Sequence, residues 1–470
     1  MANHGVDDLA VEVATRPLAN PLDPLVPEIT RLIARLASKA GNSSRVEYLR
    51  SAVGAEAVAQ LGYDAAGELV AIDITDDFDL AGVRHLLPRH PGSFGHVQGD
   101  GARHIWCSPL GRTDGRLLCV PNPPSWLVEL GQVGAKILET VWDADFAKNP
   151  VEAEIQVLTA LRATFGRLPG PLFDRCLGLY REVIEGLHIV FQPVVKIGEV
   201  PRQVGVHSYE ALARRSLEAQ SAPGPMLQVA HVWGDHFVVE RDKIILAKAL
   251  SAYAAAHAAG PYETPKPIAV NVSVRSLLDD SYIETLRMAV EDSRLDPSCV
   301  TLEISEQDAI APWPGETWLE APHTYFHNRL ARIAREIGVA FAVDDFGVAH
   351  ASLDRMAELR LTQINVDRAI LHHTNALQEL DLVVAVARES IGRVVIVEGV
   401  DQHSPVTLNQ LYKRKIKHVQ GWITGQRGAP DLRRLDPEVS RDIAALVRGD
   451  DDDRPARLTR DDPPALRRGA

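Results

Sequence analysis

The stretch "FAVDDFGVAH", Phe341 to His350, runs from strand-type apolar residues into two adjacent aspartates and then a Phe-Gly turn. Adjacent like charges repel, and each loses hydration on even partial burial, so folding alone does not favour the pair. A bound cation is the simplest compensation. Side chains alternate along a strand, so Asp344 and Asp345 are expected to face one site only where the strand ends and the chain turns. Phe346-Gly347 is read as that ending.

Runs of the same kind lie on both sides. From residue 187 onward, short apolar stretches alternate with helical ones, the pattern of repeated βαβ units. In order they are "IVFQPVV", "GVHSYEAL", "PIAVNVS", "VTLEISE", "VAFAVDDF", "LTQINVD", "VVIVEGV" and "HVQGWI". Eight strands with helices between them match a (β/α)8 barrel, typically about 250 residues long. A doubly wound open sheet is the alternative. It would not usually need eight strands, and it would normally carry a Gly-rich phosphate loop after the first, which is missing.

Polar residues gather near the C-terminal ends of these runs: Gln192, Glu210, Asn271, Glu303, Asp344, Asp345, Asp367, Glu398 and Gln420. That rim is where barrel enzymes place their sites. Carboxylates with an amide suit hard, oxygen-preferring cations such as Mg²⁺ or Mn²⁺. No His or Cys set there has zinc spacing. One acid at a strand end is an ordinary helix cap, but acids at so many strand ends together are not explained that way.

The chain as a whole, at 470 residues, exceeds one ordinary core and predicts two or three domains. Its formal net charge of -13 argues against a broad surface for DNA, RNA or anionic membrane. No apolar segment reaches the roughly 20 residues of a membrane helix, and the acidic start lacks a signal-type apolar region. The cysteines Cys107, Cys119, Cys176 and Cys299 form neither a CxxC pair nor a disulfide framework. A cytoplasmic protein without membrane insertion is the expectation.

Residues 1–26 are Pro- and Asp-rich and read as disordered. Residues 27–147 read as a small α+β module, with a helix after Pro27 (apolar Ile29, Leu32, Ile33, Leu36), strands at "ELVAIDI" and "RLLCVPN", and a helix at "SWLVELGQVGAKILETVW". The module is weakly similar to a GAF-type sensory domain, with no motif to fix it. Residues 148–186 read as a helical linker, striped by Val151, Ile155, Leu158 and Leu161 and then by Leu172, Cys176, Leu179 and Val183. Packing on the following domain is favoured over a dimerising coiled coil, because the pattern lasts only two turns. The barrel occupies residues 187–432, and residues 433–470 hold a C-terminal helix and a charged disordered tail. His85, His90, His96 and His104 with Cys107 fit no ligand spacing, and the basic run "YKRKIKH" reads as a solvated face.

Within the barrel segment, "YEALAR", "NVS", "LEISE", "DDFG", "EGVD" and "QGW" occur in an order and spacing that resemble the EAL-domain family. The resemblance covers about half the chain. It implies a modified (β/α)8 barrel and a bacterial signalling protein that binds cyclic di-GMP and hydrolyses it to the linear dinucleotide. It further implies a two-metal site of Mg²⁺ or Mn²⁺ held by Glu210, Asn271, Glu303, Asp344 and Asp345. Glu398 matches the general base, with Asp367 beside it in the catalytic set. Gln192, Arg214 and Gln420 match dinucleotide-facing positions, and Glu306 matches the anchor of the loop after the aspartates. A homodimer through the barrel or the linker helices is an open expectation.

Two departures from the family pattern matter, and a milder third is Asp401 where Glu is usual. Active members carry Lys two residues before the Asp of the sixth strand, where this chain has Asn365. No lysine lies between Lys266 and Lys413. Loss of one such preorganised group costs about 10²–10³ in rate. The loop after DDFG carries Val348, Ala349, His350 and Ala351 in place of the usual Thr-Gly-Tyr-Ser. Slow hydrolysis is therefore the leading reading, a cyclic di-GMP receptor without turnover the second, and a ligand-free scaffold the weakest.

Overall fold

The computed structural model describes residues 20–38, 44–87, 95–98, 104–110, 115–143, 149–219, 221–305, 307–313, 315–346, 361–389, 394–424 and 428–449. The chain divides into two compact units, Met1–Val183 and Ile184–Ala470. The expected disordered segments at the two ends fall largely outside the described residues. So do His90, Glu306 and the loop from Gly347 through Leu353.

The first unit is built on a five-stranded antiparallel sheet in the order β2-β1-β5-β4-β3. Its strands are β1 (Ala59–Tyr63), β2 (Leu69–Ile74), β3 (Gly95–Gln98), β4 (His104–Leu110) and β5 (Arg116–Pro121). Helix α1 (Val26–Ser38) buries Ile29, Leu32, Ile33 and Leu36, the face its spacing predicts. Between α1 and β1 lies α2 (Arg45–Val53), and between β2 and β3 lies α3 (Leu80–Val83). The predicted helix after β5 is α4 (Ser125–Asp143), bent where Gly131 adopts φ 52°. Helix α5 (Pro150–Phe165), capped by Asn149, packs back on α1 and α4. It therefore belongs to the module before it. Arg175 of α6 (Gly170–Glu185) grips Glu154 of α5 with two bonds of 2.8 and 2.9 Å. Cys107 and Cys119, distant in sequence, are register partners on β4 and β5 with their Sγ atoms 3.4 Å apart.

The second unit is a closed eight-stranded barrel, and all eight predicted strands are present. They are β6 (His188–Lys196), β7 (Gly205–Arg214), β8 (Ile268–Val272), β9 (Val300–Ser305), β10 (Ala340–Phe346), β11 (Gln363–Val366), β12 (Val394–Val397) and β13 (His418–Gln420). Strands β7 to β13 pair in parallel, whereas β6 runs antiparallel to both neighbours. That reversal corrects one expectation. Gln192 sits in the middle of β6, directly opposite Glu210, and not at a C-terminal strand end.

Helices α7 (Gly224–Trp233), α8 (Asp235–Ala259), α9 (Val274–Leu277), α10 (Asp280–Ser293), α11 (Pro322–Ile337), α12 (Ala376–Glu389) and α13 (Leu408–Lys413) connect the strands, and α14 (Pro437–Arg448) follows the last. Outward-facing strand residues such as Phe341, Val343, Leu302 and Ile304 are buried in one apolar cluster with helix residues including Phe326, Leu330 and Leu286. Full burial of each such side chain is worth about 1.5–3 kcal/mol. This layer fixes the strand register, and the register places the polar residues on the inside.

The aspartate pair lies where the sequence predicts the strand to end, and the structure adds one feature there. Strand β10 ends at Phe346, directly after Asp345. Val343 pairs with Ile364 and Phe346 with Val366, so β10 spends three steps where β11 spends two. The extra residue is a β-bulge, and Asp345 takes up the left-handed φ of 55° that it requires. Aspartate tolerates that conformation better than most residues. A bulge in the last steps of the strand, together with the strand end at Phe346, frees both side chains from strict alternation.

Candidate active site

Glu210 is buried on β7, and both its carboxylate oxygens are occupied. The Asn271 amide donates to Oε1 at 2.8 Å, and the Gln420 amide donates to Oε2 at 2.6 Å. Glu303 on β9 is buried more deeply, at 2% exposure. Its Oε1 accepts from Asn365 Nδ2 at 2.6 Å and from Gln363 Nε2 at 3.1 Å. Its Oε2 is buried with no hydrogen-bond partner among the described residues. Asn365 also donates to Asp344 Oδ1 at 3.3 Å, and its own Oδ1 accepts from Gln363 at 2.8 Å. These bonds join β7, β8 and β13 on one side and β9, β10 and β11 on the other.

The acids feel each other. Burial pushes the Glu303 carboxyl well above the usual carboxylate range, and the charges of Glu210 and Asp344 push it further. Asp344 is pushed up to about 7 by burial and then by Glu210 and Asp345. Burial and the charge of Asp367 raise Asp345. Glu398, just beyond β12, is raised well above its ordinary value by burial and by Asp344, Glu210, Glu303 and Asp345. Burial also raises Glu210, although the amides of Gln420 and Asn271 oppose the shift. Five carboxylates are thus held close enough to resist ionising together.

Glycine is needed beside them. Gly421 has φ 143°, and a Cβ there would meet the backbone of Val400. Gly399, next to Glu398, has φ 62°, and a Cβ there would meet Arg368. The "EGVD" and "QGW" segments therefore pack backbone to backbone, which brings Glu398 and Gln420 to the same rim.

Arg214, four residues after Glu210 on β7, is partly buried and donates to the Ala213 carbonyl at 2.9 Å. Its charge lowers the cost of ionising Glu210. Asp367 caps the following turn by accepting from the Ala369 amide at 2.6 Å. Sequence reading missed Gln363. The signal was present, because Gln363, Asn365 and Asp367 alternate onto one face of β11. Elsewhere, His85 is exposed and Cys107 is buried, and Tyr412 to His418 leads from α13 into β13 through a turn at Lys415.

Among the described residues, no three Asp, Glu, His or Cys side chains already close round one point as a metal cage does. The amides stand between the carboxylates instead. The donor set still fits a hard divalent cation. It is all oxygen, it is crowded with negative charge, and it contains one buried carboxylate oxygen without a partner.

The EAL domain family model matches residues 181–427, more than half of the chain. Among characterised relatives, the cyclic di-GMP phosphodiesterase NbdA of Pseudomonas aeruginosa is 27% identical over 240 residues, 50% of this chain and 28% of that protein. RocR, a cyclic di-GMP phosphodiesterase of the same organism, is 31% identical over 141 residues, 29% of this chain and 33% of that one. The PaMucR phosphodiesterase in complex with c-di-GMP superposes with a TM-score of 0.44 at 22% identity, covering 54% of this chain and 97% of that one. The first curated relatives it matches extend well beyond the match, and this chain spans about a third of their length. With its family match spanning the barrel and the acids at its rim, the chain belongs to the EAL-domain family.

Proposed function

We propose that the barrel binds cyclic di-GMP and hydrolyses it slowly to the linear dinucleotide, using Mg²⁺ or Mn²⁺, with two ions as the expected number. The observation that carries this reading is the set of mutually destabilising carboxylates around the unpartnered Oε2 of Glu303. Glu210, Asn271, Glu303, Asp344 and Asp345 are the residues that hold the cations. When bound, such ions neutralise phosphoryl charge and make water nucleophilic at neutral pH.

The chain's own groups do the rest. Glu398 accepts the proton of the attacking water at its carboxylate. Gln192, Arg214 and Gln420 bind the dinucleotide, and Arg214 supplies positive charge for a phosphate. Asp367 holds the turn after β11, and Glu306 is proposed to anchor the loop that follows Asp345. Asn365 is neutral where a lysine would stabilise the developing charge, which supports a low rate. The first unit serves as a sensory module in this reading, supported by its separate sheet and core. A homodimer through the barrel or through α5 and α6 is part of the same proposal. No helix among the described residues is long and apolar enough to cross a membrane.

The second reading, a receptor without turnover, is favoured by Asn365, whose amide bonds Glu303 and Asp344 directly. Purified protein at high concentration, incubated with cyclic di-GMP and Mn²⁺ and followed by nucleotide chromatography, separates the two. Linear product is the expected result. Binding at micromolar ligand without product would replace the enzyme reading by the receptor, and absence of binding would remove both.

A further inference from the structure

We propose that Gln363, together with Asn365, is a positioning pair that holds Glu303 through Oε1 and so presents Oε2 alone to a divalent cation. The inference rests on the metal-site reading above. Register sets up the pair. Ala342 of β10 lies between Glu303 of β9 and Gln363 of β11 in one row across the three strands. Glu303 and Gln363 are thus two strands apart, roughly 10 Å between backbones. The Ala342 methyl is small enough to leave that span open, and Gln363 crosses it to place Nε2 3.1 Å from Glu303 Oε1.

The same Nε2 lies 2.8 Å from Asn365 Oδ1. That bond fixes which way the Asn365 amide faces, so its Nδ2 points at Glu303 Oε1 and Asp344 Oδ1. One oxygen of Glu303 therefore takes two amide donors, and the other takes none. Glu210 is the internal control, because each of its oxygens has a donor of its own. Glu303 is held as a ligand that points one way.

Both donors are neutral. They orient the carboxylate without reducing the negative charge that a cation meets, which a lysine at position 365 would do. Partners behind a metal ligand typically contribute 10–100-fold to metal affinity.

The test is a Mn²⁺ titration of the full chain, read by the electron paramagnetic resonance signal of free aqueous Mn²⁺. Gln363→Met keeps the length and removes the amide. Gln363→Asn keeps the amide but is one methylene too short to reach Glu303, and it guards against misfolding of the first variant. Both are expected to weaken Mn²⁺ binding by about tenfold or more, while cyclic di-GMP binding in EDTA stays at the wild-type level. Folded variants that bind Mn²⁺ as tightly as wild type would overturn the proposal, including any that lose only thermal stability in EDTA. Failure of the wild-type protein itself to bind Mn²⁺ at millimolar concentration would overturn the metal-site reading, and this inference with it.

Discussion

On β7 and β13 the same two strands carry opposite electrostatic arrangements. Toward their C-terminal ends, Glu210 meets Gln420 in a rim of acids. Toward their starts, the His207 and His418 rings lie 4.2 Å apart, near Lys196, Lys266 and Lys417. At the rim, burial and like charge push carboxyls up, Asp344 to about 7. At the foot, burial pushes both imidazoles down and the lysines add to it, and with the charge of His207 as a further cause His418 falls to about 3. The foot solves its problem by staying neutral, which needs no partner. The rim instead keeps its acids pressed together with one oxygen unpartnered, a repulsion that a proton or a bound cation relieves. The contrast supports the proposal that the rim is the working end.

Breaking the rim gives the largest expected effect. Glu303→Ala removes the unpartnered oxygen and both amide contacts. It is expected to lower hydrolysis of cyclic di-GMP by about 10³-fold or more, with loss of Mn²⁺ binding in the same preparation. A folded Glu303→Ala protein with near wild-type turnover would show that the acids are not the working site. Next in size is Asn365→Lys, which places a cation between Glu303 and Asp344. Turnover is expected to rise by about 10²-fold, while Mn²⁺ affinity falls because the added charge repels the ion. Unchanged turnover with intact Mn²⁺ binding would mean that the neutral residue at 365 does not limit the rate.

Much of this contrast was legible in the residues. Apolar runs and turn residues marked all eight barrel strands, because each strand is buried on its outer face and cannot hide its composition. The rim acids were legible because charge at so many strand ends has no packing explanation. The arrangement within the rim was not. Bulges depend on cross-strand register, so the sequence of "FAVDDFG" could not reveal that Asp345 sits at an inserted step inside β10. The reversal of β6 was equally hidden, since an apolar run reads the same in either direction. Gln363 escaped because an amide in a strand looks ordinary until Ala342 is known to stand between it and Glu303. In the first unit, the pairing of Cys107 with Cys119 likewise needed the β4–β5 register.

The foot offers the smaller effect and the reverse pH dependence. Unfolded imidazoles titrate near 6.5, whereas folded His418 titrates at about 3 and His207 is also lowered. The unfolded chain therefore takes up protons that the folded chain refuses. The stability linked to the pair is fully present above about pH 6.5 and is lost as pH falls toward 3. At pH 5, His418 alone accounts for a loss of about 2 kcal/mol relative to pH 7. Asp344 runs the other way, because a carboxyl raised in the folded state takes its proton there first, and that contribution grows as pH falls from about 7. A single pH curve in EDTA mixes the two ends. The difference between wild type and His418→Phe cancels the rim, provided the two sites act independently. Urea unfolding of both proteins at pH 7 and pH 5 is expected to show a smaller acid loss in His418→Phe, by about 2 kcal/mol. Equal losses would mean that the foot is no more averse to protons than the unfolded chain, and that the two ends of the barrel are not opposites.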